Sequence, residues 1–202
     1  MKILKQKNSK KHVGLIVQAV MLPDDLSKKE INFLLESNKI EDVFDDQSLE
    51  DAKSAWIFLR AQPVLTIPVI LQTHKILMQN QPLQKHEIGF FRQRPVWIGN
   101  REGVKSLLIE EKIKEWLEDV STSIKIPGKN GIHIKLDHIT YEKCHPFLDG
   151  NGRSGRLFMA WERLQAGLPI LVIKASERQK YYKWFKEVKD DPAIFDVLRS
   201  TI

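Results

Sequence analysis

The chain has 202 residues, 42% of them hydrophobic and 29% charged, with a single cysteine, Cys144. That composition belongs to a globular protein, and it excludes a low-complexity chain, an internal disulfide and, with no apolar run near ~20 residues, a membrane-spanning helix. The net charge of +6 is local: Lys2, Lys5, Lys7, Lys10 and Lys11 all precede Asp24, the first acidic residue. Residues 1–22 therefore read as a solvated basic arm on a nearly neutral body, and nucleic acid is not the expected partner. Val13–Leu22 mimics a secretory leader, but Gln18 interrupts it and Pro23-Asp24-Asp25 is a poor cleavage context, so a cytoplasmic, reducing location is expected.

Ser27 with Glu30 forms a capping box ahead of Ile31, Leu34 and Leu35, predicting a first helix. Ser48 with Asp51 is read as opening a second, with Ala52, Ala55, Trp56 and Leu59 on one face. A third starts near Pro68 and carries Ile67, Ile70, Leu71, His74, Leu77 and Met78. Gly89–Asn100 is aromatic and β-branched with turn residues at its end, which predicts a short β-hairpin. Ile109, Ile113, Trp116, Leu117 and Val120 form a helical stripe, and Ser121–Gly131 reads as a loop or second hairpin. One helix is expected to end near Cys144 and another to begin near Gly152. The latter carries Leu157, Ala160, Trp161 and Leu164 and is stopped by Gly167 and Pro169. Ser176 with Gln179 predicts a cap for a last helix presenting Tyr182, Phe185 and Val188. The fold class is all-α, a helical bundle with minor β decoration. Residues 23–62 form N-terminal helices, and 63–202 a core.

The segment His145-Pro146-Phe147-Leu148-Asp149-Gly150-Asn151-Gly152-Arg153-Ser154-Gly155-Arg156 carries the chemistry. Two glycines around an asparagine at a helix start can turn successive N–H groups into a concave anion nest, reinforced by the helix dipole. Arg153 and Arg156, three apart, can meet the same polyphosphate. Asp149 is a hard oxygen ligand suited to magnesium, and His145 is a base titrating near neutrality. Together they describe nucleotidyl or phosphoryl transfer. His138 and His145 stand ~10 Å apart along a helix axis, too far to share one zinc. Cys144 reads as a packed residue at a helix end.

The segment resembles the Fic family motif, H-x-F-x-[D/E]-G-N-G-R-x-x-R, at every specified position. Gly89-Phe90-Phe91-Arg92 with Val96 and Ile98 is similar to the family's lead into its active-site flap, and Ser176, Arg178, Tyr181 and Tyr182 to its C-terminal helix, so the likeness spans roughly residues 65–195. It implies an all-α core with a hairpin flap over the active site, and AMP transfer from ATP, with Mg²⁺, to a Ser, Thr or Tyr hydroxyl of a target protein. His145 would be the general base and Asp149 the metal ligand. Gly150, Asn151, Gly152, Arg153 and Arg156 would bind phosphates, and Tyr182 would wall the nucleoside. Val96, Trp97 and Ile98 would take the target segment as an added strand.

Ser37-Asn38-Lys39-Ile40-Glu41-Asp42 further resembles the family's inhibitory motif, [S/T]-x-x-x-E-[G/N], with Asp42 in place of Gly or Asn. That likeness implies that Glu41 pairs with Arg156 and denies it to the γ-phosphate, Ser37 lying on the same helix face. Lys189 stands where the family often has Asn, which leaves the preferred base open. De-modification on the same site, another nucleotidyl or phosphoryl transfer, and a silent Fic fold acting as a basic binding module are the alternatives. Homodimerisation and the target protein are left open.

Overall fold

In the computed structural model, residues 25–99, 101–125 and 131–187 are described. The basic arm, Val13–Leu22, Val188 and Lys189 lie outside them. Helix α1 (Lys28–Ile40) opens on the capping box the sequence predicts: the Glu30 backbone N–H donates to Ser27 Oγ, and the Ser27 N–H to Glu30 Oε2 at 2.9 Å. Helix α2 (Asp46–Arg60) starts one turn earlier than expected. Asp45 is its N-cap, accepting from the Ser48 N–H at 2.8 Å and from the Ser48 hydroxyl at 2.7 Å. Two capping patterns overlap in this segment, and Asp45 rather than Asp51 takes the Ser48 amide. Asp51 is instead buried, accepting from Gln79 and Asn80. Helix α3 (Ile67–Met78) is capped by Thr66, with Pro68 in its first turn where no N–H is needed.

The hairpin starts at the far end of the segment expected to form it, and its second strand lies beyond that segment. β1 (Trp97–Ile98) pairs antiparallel with β2 (Arg101–Glu102), turning at Gly99 with φ 59°. Residues 89–95 are irregular. Helix α4 (Ile109–Lys125) continues through Ser121–Lys125, correcting the loop expected from Ser121 on. The Thr122 hydroxyl donates to the Glu118 carbonyl of the preceding turn, and Ser123 is buried, so the hydroxyls do not break the helix. Residues 126–130 are outside the description.

Helices α5 (Ile132–Cys144) and α6 (Asn151–Gln165) flank the loop His145–Gly150. From Arg153 to Glu162 every residue of α6 is buried, as expected of a central helix, and it contacts α1 through α5. Leu164, read as core, is 40% exposed because the last turn of α6 leaves the interior. Trp56, Trp116 and Trp161 are core. Helix α7 (Arg178–Glu187) follows a 3-10 turn, Ala175–Glu177. No Ser176 cap forms; the Ala175 N–H donates instead to Glu36 Oε2 on α1 at 2.7 Å.

Helix α1 is fixed to α2 through Glu30, whose Oε1 accepts from Trp56 Nε1 at 2.8 Å and from Arg60 Nη1 at 2.9 Å. Burial opposes the Glu30 charge, but the hydrogen bonds from Ser27, Trp56 and Arg60 outweigh it and hold the carboxyl below its usual value. A depressed folded-state pKa stabilises above the unfolded value of 4.5, and the benefit is lost as pH falls through the folded one. Glu30→Ala should destabilise by about 3 kcal/mol, the scale of a broken buried pair. Thermal unfolding should also show a weaker stability loss below about pH 4.5 in Glu30→Gln than in the wild type.

Candidate active site

The loop between α5 and α6 is held by its own backbone. Helix α5 ends with His145 in the left-handed region (φ 50°), and α6 begins at Gly150, also left-handed (φ 74°). A Cβ on Gly150 would lie 2.5 Å from Met78 Sδ, so both conformation and space demand glycine there. The Asn151 side chain closes the loop, accepting from the Phe147 N–H and donating to the Phe147 carbonyl, each at 2.9 Å. No side chain caps α6, so its first-turn amides face the loop. The Gly150 N–H is taken by Asp149 Oδ1 at 2.6 Å.

Two buried guanidinium groups lie beside that helix start. Arg153 is 3% exposed, and its Nε and Nη1 have no hydrogen-bond partner. Its Nη2 meets Met78 Sδ at 3.3 Å and lies 3.6 Å from Asp149 Oδ2. Arg156 is fully engaged. Nε donates to Ser37 Oγ and Nη2 to the Ser37 carbonyl, both at 2.9 Å; Nη2 also pairs with Glu41 Oε1 at 2.8 Å. Nη1 donates to the Tyr181 hydroxyl at 3.3 Å, which passes its proton toward His138 Nε2 at 2.9 Å. Burial drives the His138 ring down to about 3, leaving it a neutral acceptor. Burial also pushes the Glu142 carboxyl up to about 8, so Glu142 is mostly protonated at neutral pH; the carboxylate paired with Arg156 is that of Glu41.

Glu41 reaches Arg156 because α1 ends in a left-handed turn. The Val43 N–H donates to the Asn38 carbonyl and the Asp42 N–H to the Lys39 carbonyl, with Asp42 at φ 56°. Asp42 adopts the conformation for which Gly or Asn is usual, and Arg178 Nη1 meets its carboxylate at 2.8 Å. The Glu41 carboxylate sits over Gly152, where any Cβ would collide with Oε1. Glu41 thus occupies the mouth of the nest.

His145 lies under the loop, with Nδ1 3.3 Å from the Glu142 carbonyl, an acceptor that places the ring proton on Nδ1 and leaves Nε2 bare. Burial holds the ring below the usual histidine value, so it is a neutral base at pH 7 rather than a half-titrated one. Asp149 is exposed at the loop entrance. Among the described residues no three His, Cys, Asp or Glu side chains converge on one point. A lone carboxylate nonetheless fits Mg²⁺, which keeps waters and takes phosphate oxygens. On the hairpin Val96 and Ile98 are half-buried and Trp97 is 70% exposed. The half-buried Tyr182 touches the Ile40 carbonyl through its hydroxyl at 3.4 Å, at the end of α1. The Cys144 thiol is buried, its pKa pushed up to about 12 by that burial, and so is unreactive.

Sequence reasoning missed His74. It is fully buried, stacks on Phe147 at 3.6 Å between ring centroids, accepts from the Gly89 N–H at Nδ1, and donates from Nε2 to the Asp149 carbonyl. Burial pushes it down to about 4, so it stays neutral. A polar ring on an apolar helical stripe was the available signal.

A model of the Fic/DOC family matches residues 64–162. A protein adenylyltransferase Fic of Drosophila erecta is 35% identical over 127 residues, 60% of this chain and 24% of that protein, so the chain spans about a quarter of its length. Two solved structures share the fold. A Fic domain containing signaling protein from Bacteroides thetaiotaomicron superposes with TM-score 0.67 at 16% identity, covering 77% of this chain and 70% of that one. Fic-1 from C. elegans superposes with TM-score 0.64 at 17% identity, covering 78% and 55%.

The close approach of Glu41 to Gly152 is open to test. Gly152→Ala should turn the carboxylate off Arg156, offsetting the gain of about 0.5–1 kcal/mol from replacing a helical glycine, whereas in a Glu41→Gly background the same change should show that gain in full. Thermal unfolding of the four proteins in this cycle measures the difference.

Proposed function

Because this chain belongs to the Fic/DOC family through residues 64–162, we propose that it transfers AMP from ATP to a hydroxyl side chain of a target protein, under restraint by Glu41. The observation that carries this reading is Arg153, a buried guanidinium with two unpartnered donors beside an uncapped helix N-terminus. That is an environment in want of an anion, and a polyphosphate supplies one.

In this reading His145 Nε2 takes the proton of the target hydroxyl as its oxygen attacks the α-phosphorus. The bond to the β-phosphate breaks and pyrophosphate leaves. The first-turn amides of α6 and Arg153 stabilise the charge that develops on the phosphate oxygens. Asp149 would hold Mg²⁺, which would supply further charge neutralisation at the phosphates. Arg156 would receive the γ-phosphate once Glu41 has withdrawn, so the pairing at 2.8 Å is the restraint. Val96–Ile98 offers a backbone edge to an extended target segment, and Tyr182 stands toward the nucleoside side.

A second reading rests on the position of Glu41 over Gly152, beside the phosphate site. A carboxylate there can orient a water against an AMP–protein bond, which would make de-modification the net activity.

Wild type and Glu41→Gly, incubated with Mg²⁺ and ATP labelled at the α- or the γ-phosphate, separate these readings, with His145→Ala as blank. Self-labelling from the α-phosphate alone, at least about tenfold stronger in Glu41→Gly, is the expected result; tenfold corresponds to ~1.4 kcal/mol of restraint removed. Label from the γ-phosphate would overturn AMP transfer in favour of a kinase. Release of AMP from a labelled protein by the wild type would favour the second reading. Because the half-buried His145 titrates below its usual 6.5, labelling by Glu41→Gly should be flat near neutral pH and decline only as pH drops below about 6.5.

A further inference from the structure

Arg92 is 2% exposed, and among the described residues every hydrogen bond of its guanidinium goes to a backbone carbonyl. Nε donates to the His145 carbonyl at 2.8 Å, and Nη2 reaches the Cys144 carbonyl at 3.5 Å. These acceptors end α5, where helix carbonyls gather negative partial charge. The remaining contacts flank the hairpin. Nη1 donates to the Arg94 carbonyl before β1 at 3.0 Å, and Nη2 to the Val104 carbonyl after β2 at 2.5 Å. The Arg92 N–H donates to the Pro146 carbonyl at 2.9 Å. One rigid planar fork thus holds both stems of the hairpin and the carbonyl of a histidine in the left-handed region. Beside the stem, a cleft of about 300 Å³ is lined by Glu102, Gly103 and Val104 on one side and by Trp116, Thr140 and Cys144 on the other.

We propose that Arg92 is a positioning residue that sets the distance and orientation of the His145 imidazole relative to the hairpin edge Val96–Ile98, so that a hydroxyl on an extended segment paired to that edge meets Nε2. The inference rests on the transfer reading above. Arg92 does not touch the reacting atoms; it acts through the backbone at both ends. Lysine keeps the charge but presents its donors from a single point and cannot span the two carbonyl pairs, whereas glutamine loses the charge as well.

The test uses the full chain in a Glu41→Gly background, comparing Arg92→Lys and Arg92→Gln with their parent. Self-labelling from ATP labelled at the α-phosphate gives the rate, and calorimetry gives ATP affinity. Amide hydrogen exchange reads the hairpin and residues 143–147, and NMR titration reads the His145 ring. The expected result for Arg92→Lys is a fall of about 100-fold in kcat, the scale of a 1 Å misplacement, with ATP affinity within about twofold. Protection should drop together in the hairpin and at the end of α5. The His145 titration should move up in Arg92→Gln, which lacks the charge, and hold in Arg92→Lys. Labelling by Arg92→Lys within twofold of its parent would overturn the proposal, as would a hairpin that loosens while residues 143–147 stay protected. If the parent gives no label from any nucleotide, the transfer reading fails, and exchange and titration still decide the coupling. If Arg92→Gln does not fold, Arg92→Lys carries the test.

Discussion

Burying a guanidinium strips it of water, and the central helix of this protein buries two, Arg153 and Arg156, within its first two turns. Such a charge persists only where acceptors replace the lost hydration. Arg156 obtains them from α1 and α7, through the hydroxyl and carbonyl of Ser37, the Glu41 carboxylate and the Tyr181 hydroxyl. Arg153 keeps two donors unmet. The difference leaves one guanidinium that the chain satisfies itself and one with donors to spare. On the transfer reading, a polyphosphate that met both would have to displace the Glu41 carboxylate.

The segment carrying that carboxylate is held by contacts of unequal worth. Glu30, with Trp56 and Arg60, anchors the start of α1 in a partly buried site. At its other end the exposed Asp42–Arg178 pair contributes at most ~1 kcal/mol, and Glu36 adds a hydrogen bond to the Ala175 amide. The strong attachments lie on the body of the helix and on Arg156 itself. Glu41 can therefore swing away by side-chain rotation, its carboxylate a third exposed, while α1 stays docked. On the reading proposed above, such a restraint would be local to one side chain.

Beneath the loop, His74 ties the Asp149 backbone to its neighbours as Arg92 ties that of His145. A neutral imidazole with one ring nitrogen accepting and the other donating ties α3, the segment at Gly89 and the Asp149 carbonyl to one plane stacked on Phe147. Asn151 locks the same phenylalanine from above. The loop is thus tied at Phe147, Asp149 and Asn151 by the protein's own groups, as transition-state stabilisation by fixed dipoles would require on the transfer reading.

The reacting segment was legible because its chemistry is local. A base, a carboxylate, a glycine nest and two arginines fall within twelve consecutive positions, and the start of α6 follows from their order. The apolar stripes likewise located the helices, and the pairing of Ser27 with Glu30 located the first cap. The second cap went to Asp45 rather than Ser48 because Asp51, the partner a Ser48 capping box needs, is buried against Gln79 and Asn80 instead. What sequence could not give was long-range. The burial of α6 on every side, the orphaned donors of Arg153, the depressed titration of His145 and the roles of His74 and Arg92 depend on which carbonyls and rings other elements bring near. The sequence by itself determined which groups stand beside the helix start, since spacing along one chain is enough for that. Tertiary structure alone decided which of them are charged, paired or left wanting, because those properties are set by desolvation and by neighbours far away in the chain.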